Sequence, residues 1–246
     1  RYISVTGVQT CALPILKFTY QFIFISIYFI ITKEVIDFNR FFSLQIPYKT
    51  TLEFLFSVAL MTLLVNSINL IDGLDGLSAS ISLTILSFFV FYFGSTNDIY
   101  YEILSITLAG ALVGFLLKNK PPAKIFLGNG GSEFLGIFLS ILTFHFLKYQ
   151  AKVTDPIYIS DNDSLKIAFG LFSVPLLDAL RLMIFRIYNK KSPFRGDKNH
   201  IHHLLTDLGF NANQVVLFIT SLQILFITMS FIHFSINLFI FNITLI

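Results

Sequence analysis

The chain has 246 residues, 55% of them hydrophobic and 13% charged, with a formal net charge of +3. A soluble domain carries roughly 25% charged residues, so this composition excludes one, and so small a charge, spread over short loops, excludes a nucleic-acid binder. One cysteine, Cys11, excludes an intrachain disulfide and a cysteine-rich metal site.

Residues 1–15 lack a start methionine, the phenylalanine-rich texture of residues 16–246 and the layout of a signal peptide. They resemble translated sequencing-adapter read-through, so native sequence is expected to resume near Leu16. The domain proper is then 16–246. A bilayer core takes about 20 apolar residues per helix. By that measure the sequence predicts an all-α, polytopic helical bundle with about eight spans, near 17–32, 50–66, 77–93, 99–117, 132–148, 165–188, 213–231 and 234–246. The last two are only weakly separated.

The first polar interruption is Asn66-Ser-Ile-Asn-Leu-Ile-Asp-Gly-Leu-Asp-Gly-Leu77, at the end of the second run. Carboxylates at the edge of hydrocarbon are expensive and usually hold a cation or a substrate. If the segment is helical, Asp72 and Asp75 share a face, while Asn66 and Asn69 repeat the spacing with amide oxygens suited to a hard cation or a sugar hydroxyl. Ordinary Asp-Gly turn chemistry is the competing reading. In the fourth run, Gly110 and Gly114 form a small-xxx-small pattern suited to helix packing.

The next loop holds Pro121-Pro122, which end a helix, and Gly128-Asn-Gly-Gly-Ser132, which opens the following one. A helix start rich in glycine offers free N–H groups and a positive end to an anion. Lys124 adds charge, and Glu133 suits the helix dipole whatever the function. A plain connector explains the glycines equally well. Asp178 and Arg181, three apart within 165–188, are expected to form a structural ion pair. His145 and His233, alone in apolar runs, read as packing or interface residues.

The densest cluster is Ser192-Pro-Phe-Arg-Gly-Asp-Lys-Asn-His-Ile-His-His203. Arg195 can grip phosphate oxygens in a bidentate fashion, and His200, His202 and His203 crowd three imidazoles into four residues. A solvated, positively charged loop accounts for Lys190 and Lys191 without a function. A zinc site is disfavoured, since neither cysteine nor an H-x₃-H spacing supports it. Loops 66–76, 118–131 and 189–212 fall on one side if each run spans once. They carry the lysine and arginine excess, which places them in the cytoplasm.

These three stretches resemble, in order, three motifs of the polyprenyl-phosphate N-acetylhexosamine-1-phosphate transferases, a family that includes the phospho-MurNAc-pentapeptide translocase. The likeness covers nearly everything from Leu16 onward. His200-Ile-His-His203 looks like the branch that uses UDP-N-acetylhexosamine; the translocase branch has three consecutive histidines. The resemblance implies a multi-pass enzyme of the bacterial cytoplasmic membrane with a cytoplasmic active site, Mg²⁺ (or Mn²⁺) and, as partners, undecaprenyl phosphate and a UDP-N-acetylhexosamine. A homodimer is compatible with it. Carried over by position, Asp72, Asp75, His202 and His203 would be catalytic. Asn66, Lys124, Gly128, Gly130, Ser132, Arg195 and His200 would bind substrate, and Asn69 and Asn129 would lie at the metal.

Two departures stand out. Asn129 occupies a position where relatives carry a metal-ligating Asp, and an amide oxygen is a weaker Mg²⁺ ligand than a carboxylate. An Asp-Asp pair expected just before Leu16 is missing, so the 246-residue polypeptide is expected to be inactive. A noncatalytic carrier is the rival from another class. Carriers tend to break paired helices at mid-membrane, whereas here the polar clusters sit at helix ends.

Overall fold

The computed structural model describes the backbone of residues 9–42, 49–148, 159–190 and 200–244, and the side chains of 16–41, 49–148, 159–190 (except 162) and 200–231. These residues form ten helices: α1 (Gln9–Thr32), α2 (Phe38–Phe42), α3 (Lys49–Ile71), α4 (Leu77–Ser95), α5 (Ile99–Asn119), α6 (Gly128–Lys148), α7 (Asp161–Leu171), α8 (Ser173–Tyr188), α9 (Ile201–Asp207) and α10 (Ala212–Thr244). Arg195 and its neighbours lie outside the described residues, as does most of the 1–15 segment.

The long helices α3, α4 and α6 form the centre of the bundle. Their inward residues, among them Val58, Val65, Ile81, Ile85, Leu139 and Leu142, are fully buried. Gly136 lets α6 lie directly on α3: a Cβ there would stand 2.9 Å from Val65 Cα and from its carbonyl oxygen. Close backbone approach at a small residue is how helices associate where lipid removes the hydrophobic incentive. Toward the other end, Phe88, Phe89 and Tyr92 of α4 meet Phe146 of α6, Tyr92 edge-to-face at 4.8 Å. This part of the phenylalanine content is core rather than lipid-facing surface.

The expected count of about eight spans is not reproduced. Among the described residues five helices are long and apolar enough to cross a bilayer: α3, α4, α5, α6 and Ala212–Phe231 of α10. The expected spans 213–231 and 234–246 are instead one continuous helix through residue 244, because neither Gly nor Pro interrupts residues 212–244. The expected span 165–188 is a pair, α7 and α8, bent by 73°. Pro175 explains the bend. It has no N–H for the carbonyl of Leu171, one helical turn back.

A buried glutamine repairs this break. Gln223 of α10 donates through Nε2 to Leu171 O (2.8 Å) and Gly170 O (3.1 Å), and its Oε1 accepts from Val174 N at 3.1 Å. Gly170 allows the approach, since a Cβ there would meet Ser230 Oγ at 2.6 Å. Broken backbone at membrane depth persists only where protein groups satisfy it.

At the end holding the C-termini of α1 and α6, His145 sits in a polar network rather than an apolar one. Its Nε2 lies 2.8 Å from Asp98 Oδ2, its Nδ1 3.3 Å from Glu34 Oε1, and its ring stacks on Tyr101. The His233 side chain lies outside the described ones. The first two sequence-predicted polar stretches, and residues 200–203 of the third, belong to the opposite end, where α3 stops, α6 starts and α9 packs.

Candidate functional site

The site begins where α3 ends. Asp72 and Asp75 do not share a helix face. They lie in the turn 72–76 between α3 and α4, closed by Leu77 N donating to Leu74 O. Gly76 takes φ +78°, a left-handed conformation that L side chains rarely adopt, so this turn requires a glycine.

The turn is clamped to the following loop from two sides. Asp75 Oδ2 accepts from Ala123 N at 3.0 Å. Asn119, at the last position of α5, accepts from Gly76 N (2.9 Å) and donates to Ile125 O (2.8 Å). Asn119 is not among the predicted site residues. Its sequence signal is a buried amide two residues before Pro121-Pro122.

The glycine-rich stretch is the first turn of α6, and its hydroxyl joins it to the first motif. Ser132, completely buried, donates to Asn69 Oδ1 at 2.7 Å. Gly128 and Gly130 face open space, so the α6 N-terminus, with its unpaired N–H groups, is accessible. Asn129 and Lys124 are exposed beside it. Lys17 of α1 forms a 2.8 Å ion pair with Glu133, adding a cation near this end of the helix. Asn66 is turned elsewhere, donating to Gln21 Oε1 on α1 (2.9 Å) and to Thr62 O.

The histidine cluster closes the arrangement. His202 on α9 is 1% exposed and presses on Gly73, where a Cβ would stand only 2.3 Å from its Nε2. Neither ring nitrogen of His202 has a hydrogen-bond partner among the described residues. His203 is half-buried next to it, with ring centroids 4.3 Å apart. His200 is held by Asp178 of α8 at 2.8 Å, and Asp178 also makes the ion pair with Arg181 that the spacing predicts, at 3.0 Å. Sequence reasoning stops at that pair and misses the link to His200.

Electrostatics mark two groups. Burial, helped by the neighbouring Asp75 charge, pushes the Asp72 carboxyl up to about 7. Burial, reinforced by His203 and His200, pushes the His202 imidazole down to about 4. An acid near neutrality and an uncharged imidazole side by side are the pattern of a working site.

Among the described residues no three His, Cys, Asp or Glu side chains cluster as a metal site. The donors fit Mg²⁺ nonetheless, because that ion is held by one or two carboxylates together with water and substrate phosphates. The Asp72 carboxylate has no hydrogen-bond or ion-pair partner among the described residues, and its charged form is disfavoured by burial and by a second carboxylate, a conflict that a divalent cation would relieve.

The chain is similar in sequence to known proteins. The family model described as glycosyl transferase family 4 matches residues 11–146. Over 180 residues the chain is 34% identical to decaprenyl-phosphate N-acetylglucosaminephosphotransferase of Mycobacterium leprae (strain TN), covering 69% of this chain and 45% of that protein. It is 38% identical over 161 residues to a probable undecaprenyl-phosphate N-acetylglucosaminyl 1-phosphate transferase of Bacillus subtilis (strain 168), covering 65% and 42%. A phospho-N-acetylmuramoyl-pentapeptide-transferase of Clostridium beijerinckii is 29% identical over 178 residues, covering 72% and 50%. The chain spans half or less of the length of each of these relatives. With more than half of its residues inside the family match, the chain belongs to glycosyl transferase family 4.

Proposed function

We propose that the protein containing this chain transfers N-acetylhexosamine 1-phosphate from a UDP-sugar to a polyprenyl phosphate, undecaprenyl phosphate being the expected acceptor. An acceptor phosphate oxygen attacks the β-phosphorus of the UDP-sugar, and the bond from that phosphorus to the bridging oxygen breaks. UMP leaves with the bridging oxygen, and the lipid keeps the sugar through a new diphosphate. The observation that carries this reading is that the Asp72–Asp75 turn touches α9 through Gly73 and His202 and the α5–α6 loop through Ala123, while Ser132 of the first turn of α6 bonds Asn69 just before it, all at one end of a membrane bundle. The activities named for the relatives support the donor and acceptor classes.

Each part has a task that its chemistry suits. The N–H groups opening α6, with Lys124 and Lys17, offer donors and charge to the diphosphate. Asp72 and Asn129 would hold Mg²⁺, with Asn69 oriented beside them by Ser132. The ion would supply charge neutralisation to the diphosphate in a displacement that is mostly positioning and electrostatics. His202, uncharged at neutral pH, puts a lone pair and an N–H against the acidic turn without adding a charge. The charge bias of the loops and the bacterial relatives support a cytoplasmic site in the inner membrane.

The test is to express the intact reading frame that encodes this chain, purify the protein and supply Mg²⁺, labelled UDP-GlcNAc and undecaprenyl phosphate. The expected result is label entering an organic-soluble lipid with one UMP released per transfer. Product formed only from UDP-MurNAc-pentapeptide would move the protein to the other branch of the family. Label crossing sealed vesicles unchanged would replace the enzyme with a carrier.

A further inference from the structure

Asp178 lies on α8, 5% exposed, and both of its carboxylate oxygens are engaged. Oδ2 stands 2.8 Å from His200 Nδ1. Oδ1 accepts from Ile201 N and from Arg181 Nη2, each at 3.0 Å. An ionised carboxylate only accepts hydrogen bonds, so His200 Nδ1 must carry the hydrogen, which leaves the lone pair of the neutral ring on Nε2. Ile201 N opens α9, whose own N-cap residue, His200, makes no side-chain capping bond. The carboxylate of α8 therefore supplies in space the cap that α9 lacks in sequence.

Those two bonds fix both the position and the rotation of α9. His202, two residues on, then stacks its ring on that of His200 (centroids 5.5 Å apart, planes within 11°) and presses on Gly73 in the Asp72–Asp75 turn. An acid that orients a histidine acting elsewhere is a recurrent device in active sites. We propose that Asp178 is a positioning residue for sugar-phosphate transfer: it holds His200 as the Nδ1–H form and caps α9, so that His202 meets the acidic turn. This inference rests on the transferase reading of the site.

The experiment uses full-length protein labelled with ¹⁵N-histidine, as parent, Asp178→Asn, Asp178→Glu and Arg181→Gln. An amide at 178 keeps an oxygen for Ile201 N but turns an N–H toward His200 Nδ1, which must then accept. Asp178→Asn is expected to lower kcat roughly 10- to 100-fold, with KM for the UDP-sugar within about threefold. It is also expected to switch the His200 signals, assigned by their loss in His200→Gln, to the Nε2–H tautomer. Asp178→Glu should recover turnover, and Arg181→Gln should keep the parent tautomer and turnover within about twofold. Parent-level turnover in Asp178→Asn overturns the proposal, as does a parent spectrum showing His200 already as Nε2–H. That spectrum needs no turnover and no folded variant at position 178. If the parent forms no lipid-linked product the transferase reading falls alone, while the spectrum still decides whether Asp178 orients His200.

Discussion

Gly73 and Asp72 show how closely the site is built. Nothing larger than hydrogen fits between the residue-73 backbone and the buried His202 ring. Gly73→Ala is expected to displace that ring and cut turnover by roughly 10-fold or more, by misplacing a group at the reaction centre, while the unfolding temperature falls by only a few degrees; steady-state kinetics beside a melting curve check this. The acidic partner has its own signature. Because the folded pKa of Asp72 is raised, the folded state holds its proton more tightly than the unfolded chain. That contribution favours folding below the ordinary carboxylate value near 4 and is lost as pH rises through about 7. His202 acts in the opposite sense over the lower part of this window: its folded pKa is depressed, so stability is lost as pH falls from about 6.5 toward 4. Comparing parent with Asp72→Asn isolates the first effect. Without divalent cations the variant should gain stability relative to the parent as pH climbs from 4 to 7 and then hold level, and Mg²⁺ should shrink the difference above pH 7. A difference independent of pH and Mg²⁺ would contradict the assignment.

At the scale of elements, the bend between α7 and α8 is set by Pro175 and satisfied by Gln223. Gln223→Leu leaves Leu171 O and Val174 N unpaired in an interior without water, which costs about 1–3 kcal/mol for each unsatisfied group. A lowered unfolding midpoint in detergent is the expected outcome, and since α8 carries Asp178, turnover should fall with it. Pro175 is visible in the sequence, but a proline in the first turn of a helix is also ordinary, so periodicity alone joins α7 to α8. The opposite error arises at 232–233, where a dip in hydropathy suggests a boundary although no helix breaker stands there. Helix existence is legible because apolar runs of span length have few other uses. Breaks and continuities are not, because they depend on one proline and on a glutamine about fifty residues away.

For the molecule as a whole, the three motifs are legible because polar residues at the ends of apolar runs have no packing reason to be there. Their partners are less so. Asn119, Asp178 and Lys17 act across 43, 22 and 116 residues of sequence, and each of them alone resembles an ordinary cap or ion-pair residue. The helical reading of the Asp72–Asp75 stretch fails for a local reason: Gly73 and Gly76 favour a turn over another helical turn. The proposed orientation makes a separate prediction. In sealed right-side-out vesicles, a cysteine introduced at Lys124 should resist an impermeant maleimide applied from outside, and one introduced at Lys33 should react. The reverse pattern would invert the topology and remove the site from its nucleotide donor.

The most direct test of the central claim, that the acidic turn and the distant α9 meet at one site, is a cross-link. With Cys11 replaced, the double variant Gly73→Cys, His202→Cys places two thiols where ring and backbone now touch. Mild oxidation in native membranes should join them rapidly within one chain, and bound UDP-sugar with Mg²⁺ should alter the rate. Two thiols that stay separate under conditions where a control pair on α3 and α6 becomes joined would show that α9 does not meet the acidic turn, and the proposed site would be lost.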